Sequence, residues 1–162
     1  MMKTLYIHIG TPKTGSTSLQ TFFKINKKLL KQKGIYYPTE GSYYHDDAYH
    51  DDASHQILAY KLNGDYSRRM QSHREIRQHI NETECHNILL SAERFWYVSG
   101  KKIRAIFDNI PLGYKIIVYL RRQDNRLISV YNQRVKQCQK EKYHDDLDNF
   151  IKIQVENKKS SF

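Results

Sequence analysis

Strand-like and helix-like segments alternate along most of this chain, and no other feature constrains its fold as much. Residues 4–9 partly alternate and are rich in β-branched and aromatic side chains, which predicts a strand. From Thr17 the apolar residues Leu19, Phe22, Phe23, Leu29 and Leu30 recur at helical spacing, and Gly34 ends the helix they predict. Ile35-Tyr36-Tyr37 before Pro38 reads as a short strand or extended exit, and residues 39–54 read as a loop. Short helices are expected over 55–62 and 72–80. Residues 87–91 predict a buried strand, and 101–109 a helix closed by Pro111 and Gly113. The run 115–120 is the clearest buried strand of all. A helix follows over about 124–138, with Leu127, Ile128, Tyr131 and Val135 on its apolar side. This order places a parallel sheet between two layers of helices, an α/β, three-layer, P-loop-like fold. For 162 residues a single domain over 1–155 with a polar tail at 156–162 is expected.

Charge narrows the partner. Twenty-seven Lys and Arg against 17 Asp and Glu give a net charge of +10. Such an excess favours a polyanion: a nucleotide, a nucleic acid, an acidic polysaccharide or a membrane surface. The two cysteines, Cys85 and Cys138, are far apart and form no metal-like pair. A disulfide-stapled scaffold is not expected, and a reducing compartment is. The first nine residues are too short and too interrupted for a signal peptide, and no later run is long enough to span a bilayer. A cytoplasmic location is therefore the expectation, and the Asn81-Glu82-Thr83 sequon then carries no meaning.

The segment Gly10-Thr11-Pro12-Lys13-Thr14-Gly15-Ser16-Thr17 lies between the first strand and the first helix. A glycine-containing turn there can aim backbone N–H groups and a helix N-terminus at an anion. Its glycine spacing equals that of the Walker A loop, but that loop needs lysine directly after its second glycine, and Ser16 stands there instead. The lysine has moved to the middle of the loop, at Lys13. No aspartate ends a buried strand to help hold magnesium; Ser91-Ala92-Glu93 comes nearest. A phosphoryl group in transfer usually needs a metal to offset its charge. A sulfuryl group carries one charge fewer, so a single lysine beside the bridging oxygen suffices. The plainer reading of the segment is an ordinary strand–helix turn with a Ser/Thr cap.

Thr-Pro-Lys-Thr-Gly-Ser-Thr-Ser-Leu-Gln, residues 11–20, resembles the loop that binds the 5′-phosphosulfate in sulfotransferases dependent on 3′-phosphoadenosine 5′-phosphosulfate (PAPS), especially bacterial, carbohydrate-type members. The resemblance implies that Lys13 contacts the leaving phosphate and the sulfuryl group. It also implies that Thr11, Pro12, Thr14, Gly15, Ser16 and Thr17 line the 5′-phosphate site, with backbone and hydroxyls from Thr14 to Thr17 holding the phosphate. The same families carry a strand ending in arginine with a serine eight positions later. Here Arg121 follows the apolar run 115–120, and Ser129 lies eight positions on. Physically, an arginine leaving the carboxyl end of a buried strand and a serine in the next helix can hold one phosphate. That is the 3′-phosphate, which distinguishes PAPS from ATP. Arg122 is an alternative to Arg121, one position short in spacing.

An acceptor hydroxyl or amine must lose a proton as it attacks sulfur, so a base is expected near Lys13. Glu93 is favoured, because residues 87–91 lie between the two motifs and resemble the strand whose end bears the base in relatives. Its plainer reading is a salt bridge with Arg94 or a helix-cap contact. His55 is the second candidate and Glu40 the third. The His- and Asp-rich stretch from His45 to His55 reads as a solvated loop rather than a metal site, and no metal is required.

The resemblance runs from about residue 3 to about residue 150, and relatives usually continue well beyond, into a part resembling a lid. The expectation is an enzyme: a sulfotransferase moving a sulfuryl group from PAPS to a hydroxyl or amine, on a carbohydrate, and releasing 3′,5′-ADP. A homodimer is a further expectation. The rivals are a non-catalytic PAPS- or 3′,5′-ADP-binding remnant and a nucleic-acid binder using Lys24, Lys27, Lys28 and Lys31.

Overall fold

The computed structural model describes residues 2–10, 13–38, 53–64, 73–137 and 146–159. They fall into two compact units, Met1–Leu120 and Arg121–Phe162. Thr11, Pro12, Glu40, the stretch from His45 to Asp52, and Cys138 lie outside the described residues.

The first unit is built on a four-stranded, all-parallel sheet in the order β2-β3-β1-β4. Its strands are β1 (Lys3–Gly10), β2 (Ile35–Tyr36), β3 (Asn87–Ser91) and β4 (Leu112–Tyr119). Between β1 and β2 run α1 (Ser16–Ile25) and α2 (Lys27–Gln32). Between β2 and β3 come α3 (Gln56–Leu62) and α4 (His73–Glu82). A 3₁₀ turn (Glu93–Tyr97) and α5 (Gly100–Ile106) lead from β3 to β4. The architecture is three-layered α/β, with the sheet flanked by helices.

Period-two alternation sorts the sheet's two faces. Leu5 and Ile7 of β1 and Ile88 and Leu90 of β3 point to one face. There they pack with Leu58 and Ala59 of α3, Ile76 and Ile80 of α4, and Ile103 and Ile106 of α5 in one buried cluster. Tyr6 and His8 of β1, in register with Leu89 and Ser91, point to the other face, where α1 lies. Gln20 of α1 reaches Ser91 from that side at 3.1 Å.

Two expectations need correcting. The helix from Thr17 toward Gly34 is interrupted at Asn26, which separates α1 from α2. The Asn26 side-chain Nδ2 donates to the Phe22 carbonyl at 2.9 Å, on the same oxygen its backbone N–H reaches at 3.0 Å. That is the competition between an amide side chain and the helix ladder that makes Asn a poor interior residue. Second, β4 forms where expected but is not buried. It is an edge strand, paired only with β1 among the described strands. Ile116 is 56 % exposed and Leu120 just beyond it 74 %, and Ile117, Val118 and Tyr119 are exposed as well. Apolar composition predicts a strand sandwiched in mid-sheet, but it carries no information about which strand ends up at the rim.

The second unit holds α6 (Gln123–Gln137) and α7 (Leu147–Lys159). Asp146 caps α7, its Oδ1 accepting from the Asn149 N–H at 2.7 Å, so the chain is helical through Lys159. Phe150 is buried against the ring of Tyr131, with centroids 5.6 Å apart, and the Arg134 guanidinium lies 5.1 Å from the Phe150 centroid. Among the described residues no helix is long and apolar enough to cross a membrane.

Candidate functional site

The carboxyl ends of β1, β3 and β4 come to one rim of the sheet: His8 is in register with Ser91, and Gly10 with Tyr119. In open parallel sheets, ligands bind outside this rim, where strand order reverses. Here β1 is an inner strand, so the turn that leaves it is flanked on both sides.

That turn is tightly bent. Lys13 and Gly15 both have positive φ, +72° and +87°. Gly15 is the cap residue of α1, in the left-handed region that glycine enters without steric cost. Gly10 is required for a different reason: a Cβ there would lie 2.9 Å from Thr14 Oγ1. Lys13 is a lysine held where only a few per cent of non-glycine residues sit, a conformation that clusters at ligand-binding turns. No side chain caps α1, and its first turn holds no acid. Its first backbone N–H groups and the positive end of its dipole are thus left without an acidic side chain of the helix itself. Thr14 is half-buried, Ser16 buried and Thr17 exposed.

Ser16 points its hydroxyl at Glu93, donating to Oε1. Glu93 opens the 3₁₀ turn after β3 and is half-buried. The expected alternatives for Glu93 were a partnership with Arg94 or a cap contact. The Arg94 guanidinium in fact lies over the Tyr60 ring, 3.8 Å from its centroid.

His55, just before α3, is fully buried. The Ser91 N–H donates to its Nδ1 at 3.1 Å, and its Nε2 lies 3.0 Å from the Pro38 carbonyl. With Nδ1 accepting, Nε2 carries the proton and donates to Pro38, which fixes a neutral tautomer. The ring also meets Tyr37 edge-on, at 4.9 Å between centroids. His55 therefore joins the chain after β2 to the end of β3.

A third group was not singled out from the sequence. His8 is 1 % exposed, and its Nδ1 lies 2.7 Å from Ser91 Oγ, which also accepts from Gln20 Nε2. One proton serves the His8–Ser91 pair, with either the hydroxyl or the ring donating. Nε2 of His8 has no hydrogen-bond partner, and the ring packs edge-on against Tyr119, 4.8 Å between centroids. A cavity of about 330 Å³ opens beside it, walled by Tyr6, Leu19, Phe23, Leu89 and Tyr119. The available signal was a histidine among the buried positions of a strand, with a glutamine one helical turn beyond Ser16.

Burial lowers the His8 pKa below its ordinary 6.5, because the charged ring loses its hydration. The sign follows from proton uptake. Above 6.5 neither state binds the proton; as pH falls below that value the unfolded chain takes it up first, so stability drops toward the lowered folded value. Urea midpoints measured between about pH 8 and pH 5 are expected to fall more steeply for the natural chain than for His8→Gln. Parallel pH curves for the two would contradict this.

In the second unit Arg121 is exposed, two residues before α6, and Ser129 is half-buried on that helix. Arg122, the alternative, is committed elsewhere: its guanidinium grips Asp124 through Nη2–Oδ2 at 2.6 Å and Nε–Oδ1 at 3.2 Å. The Asn125 backbone N–H and then Arg122 hold the Asp124 carboxyl below the usual range.

No family model, no curated protein and no solved structure matches this chain.

Proposed function

We propose that the chain is a sulfotransferase that takes the sulfuryl group of PAPS to a hydroxyl or amine, on a carbohydrate acceptor. The observation that carries this reading is the loop after β1: a lysine and a glycine in left-handed conformation lead into an uncapped helix whose first turn has no acid. Such a turn suits a 5′-phosphosulfate, with backbone N–H groups from Thr14 to Thr17 on the phosphate and Lys13 at the bridging oxygen. Thr11 and Pro12 complete the loop in sequence. Arg121 and Ser129 are assigned to the 3′-phosphate.

In the proposed reaction the acceptor oxygen or nitrogen attacks sulfur in line with the bond to the 5′-phosphate. That bond breaks, its electron pair leaves with 3′,5′-ADP, and the Lys13 ammonium offsets the charge that develops there. Glu93 takes the acceptor proton. Its hydrogen bond to Ser16 keeps the carboxylate at the loop, which favours it over His55, whose ring nitrogens both face backbone partners. The role needs no metal.

Incubation with sulfur-labelled PAPS and a panel of mono- and oligosaccharides tests the assignment. Label is expected on at least one sugar, with 3′,5′-ADP released in equal amount. Tight 3′,5′-ADP binding with no transfer to any acceptor would instead favour a non-catalytic nucleotide-binding role.

A further inference from the structure

The basic character of the chain is not spent on the loop after β1. On α4, Arg74, Arg77, Gln78 and Asn81 follow one another at helical spacing, forming a single stripe. The opposite side of that helix buries Ile76 and Ile80 in the core. The stripe borders a hollow of about 360 Å³ that Asn109 and Ile110 close. A second hollow, of about 470 Å³, adjoins it through the shared Arg77, with Lys61 from the end of α3 and Lys102 from α5 on its walls. Four cations thus line one continuous depression, and none of its described lining residues is acidic. Glu82, one turn along α4 from Gln78, accepts from the Gln78 amide at 2.8 Å.

Position separates this depression from the loop. Lys3, the first residue of β1, sends its Nζ to the carbonyls of Ile80 and Asn81 at 2.9 and 2.7 Å, and it pairs with Leu112, just after Ile110. The first hollow is therefore at the amino-terminal rim of the sheet, the length of β1 away from the loop. An eight-residue strand spans about 25 Å.

We infer that this depression is a docking surface for an acidic polysaccharide, sulfated or carboxylated. The inference does not rest on the nucleotide reading. Three features support it over a merely solvated helix face. The Arg77 guanidinium is held in place by an Nη2 bond to the Asp108 carbonyl at 2.8 Å, which leaves its other N–H groups preset for an anion. The cations come from three helices around a concavity rather than from one convex stripe. The amides of Gln78, Asn81 and Asn109 add the neutral donors and acceptors that sugar hydroxyls need. Among the described lining residues none is aromatic, so the base-stacking platform of a single-stranded nucleic-acid site is missing.

The test measures binding of a size-defined heparin octasaccharide to the full chain at low and moderate salt. Arg77 is left in place because it supports the Asp108 carbonyl. The double variant Arg74→Gln/Lys102→Gln is expected to weaken binding about tenfold at low salt and to flatten the salt dependence. The control Lys27→Gln/Lys28→Gln removes the same charge from α2 and is expected to change binding less than about twofold. Unchanged melting temperatures confirm that both variants fold. Equal losses in the two variants would show generic attraction to a +10 chain and overturn the proposal, as would the absence of any octasaccharide binding. A single-stranded DNA of equal charge that binds as tightly, and is weakened by the same double variant, would overturn the polysaccharide assignment in favour of nucleic acid.

Discussion

Lys13→Ala is expected to lower sulfate transfer by about 10²–10³-fold, the range seen when one preset donor to a developing negative charge is removed. The fold should be unaffected. Lys13 is half-exposed in a surface turn, and alanine meets the same left-handed backbone requirement that lysine already meets there. The two effects therefore separate cleanly: melting temperature constant, turnover nearly gone. Arginine at the same position tests the role further. It keeps the charge but spreads it over a planar fork, so it should restore only part of the rate. Full turnover in Lys13→Ala would mean that the loop has been assigned the wrong chemistry.

Glu93→Gln is expected to cost about 10²–10⁴-fold in turnover, the usual contribution of a general base. The glutamine Oε1 can still accept the Ser16 hydroxyl proton, so loop geometry is preserved while the proton acceptor is lost. A merely structural Glu93 would predict the opposite pattern, with near-normal turnover in the amide and loss only when the hydrogen bond itself is broken, as in Glu93→Ala. The pH profile gives a second readout, because the limb of the turnover curve that reports the base should vanish in Glu93→Gln and persist in Ser16→Ala.

The parts of this fold that were legible in the sequence are those where local pattern and tertiary context agree. β3 begins at Asn87 and ends at Ser91, as its apolar run bounded by polar residues predicts. β1 extends the expected strand by one residue at each end, and α3, α4 and α6 fall within a residue or two of their patterns. Burial was less legible. The run 115–120 has the composition of a mid-sheet strand, and only the strand order, a non-local property, makes β4 an edge. Asn26 interrupts a helix whose apolar periodicity continues past it, since periodicity records which face is wetted and not whether the ladder is unbroken.

In the candidate site the loop was readable because its glycines, lysine and hydroxyls are contiguous. Glu93 was reachable through its place after β3. His8, Ser91 and Gln20 were not, since their partnership spans three elements and each residue alone looks unremarkable in its segment. His55 illustrates the reverse case. A histidine ahead of a short helix invites a catalytic role, while its hydrogen bonds to Ser91 and Pro38 are set by a tertiary contact that sequence spacing does not encode.

Titration calorimetry of 3′,5′-ADP against 5′-AMP bears most directly on the account. Both nucleotides present a 5′-phosphate to the loop after β1, but only 3′,5′-ADP offers a phosphate to Arg121 and Ser129. The account predicts that 3′,5′-ADP binds at least about tenfold more tightly, and that Arg121→Ala removes the difference while leaving 5′-AMP affinity unchanged. Equal affinity for the two nucleotides in the natural chain would contradict it.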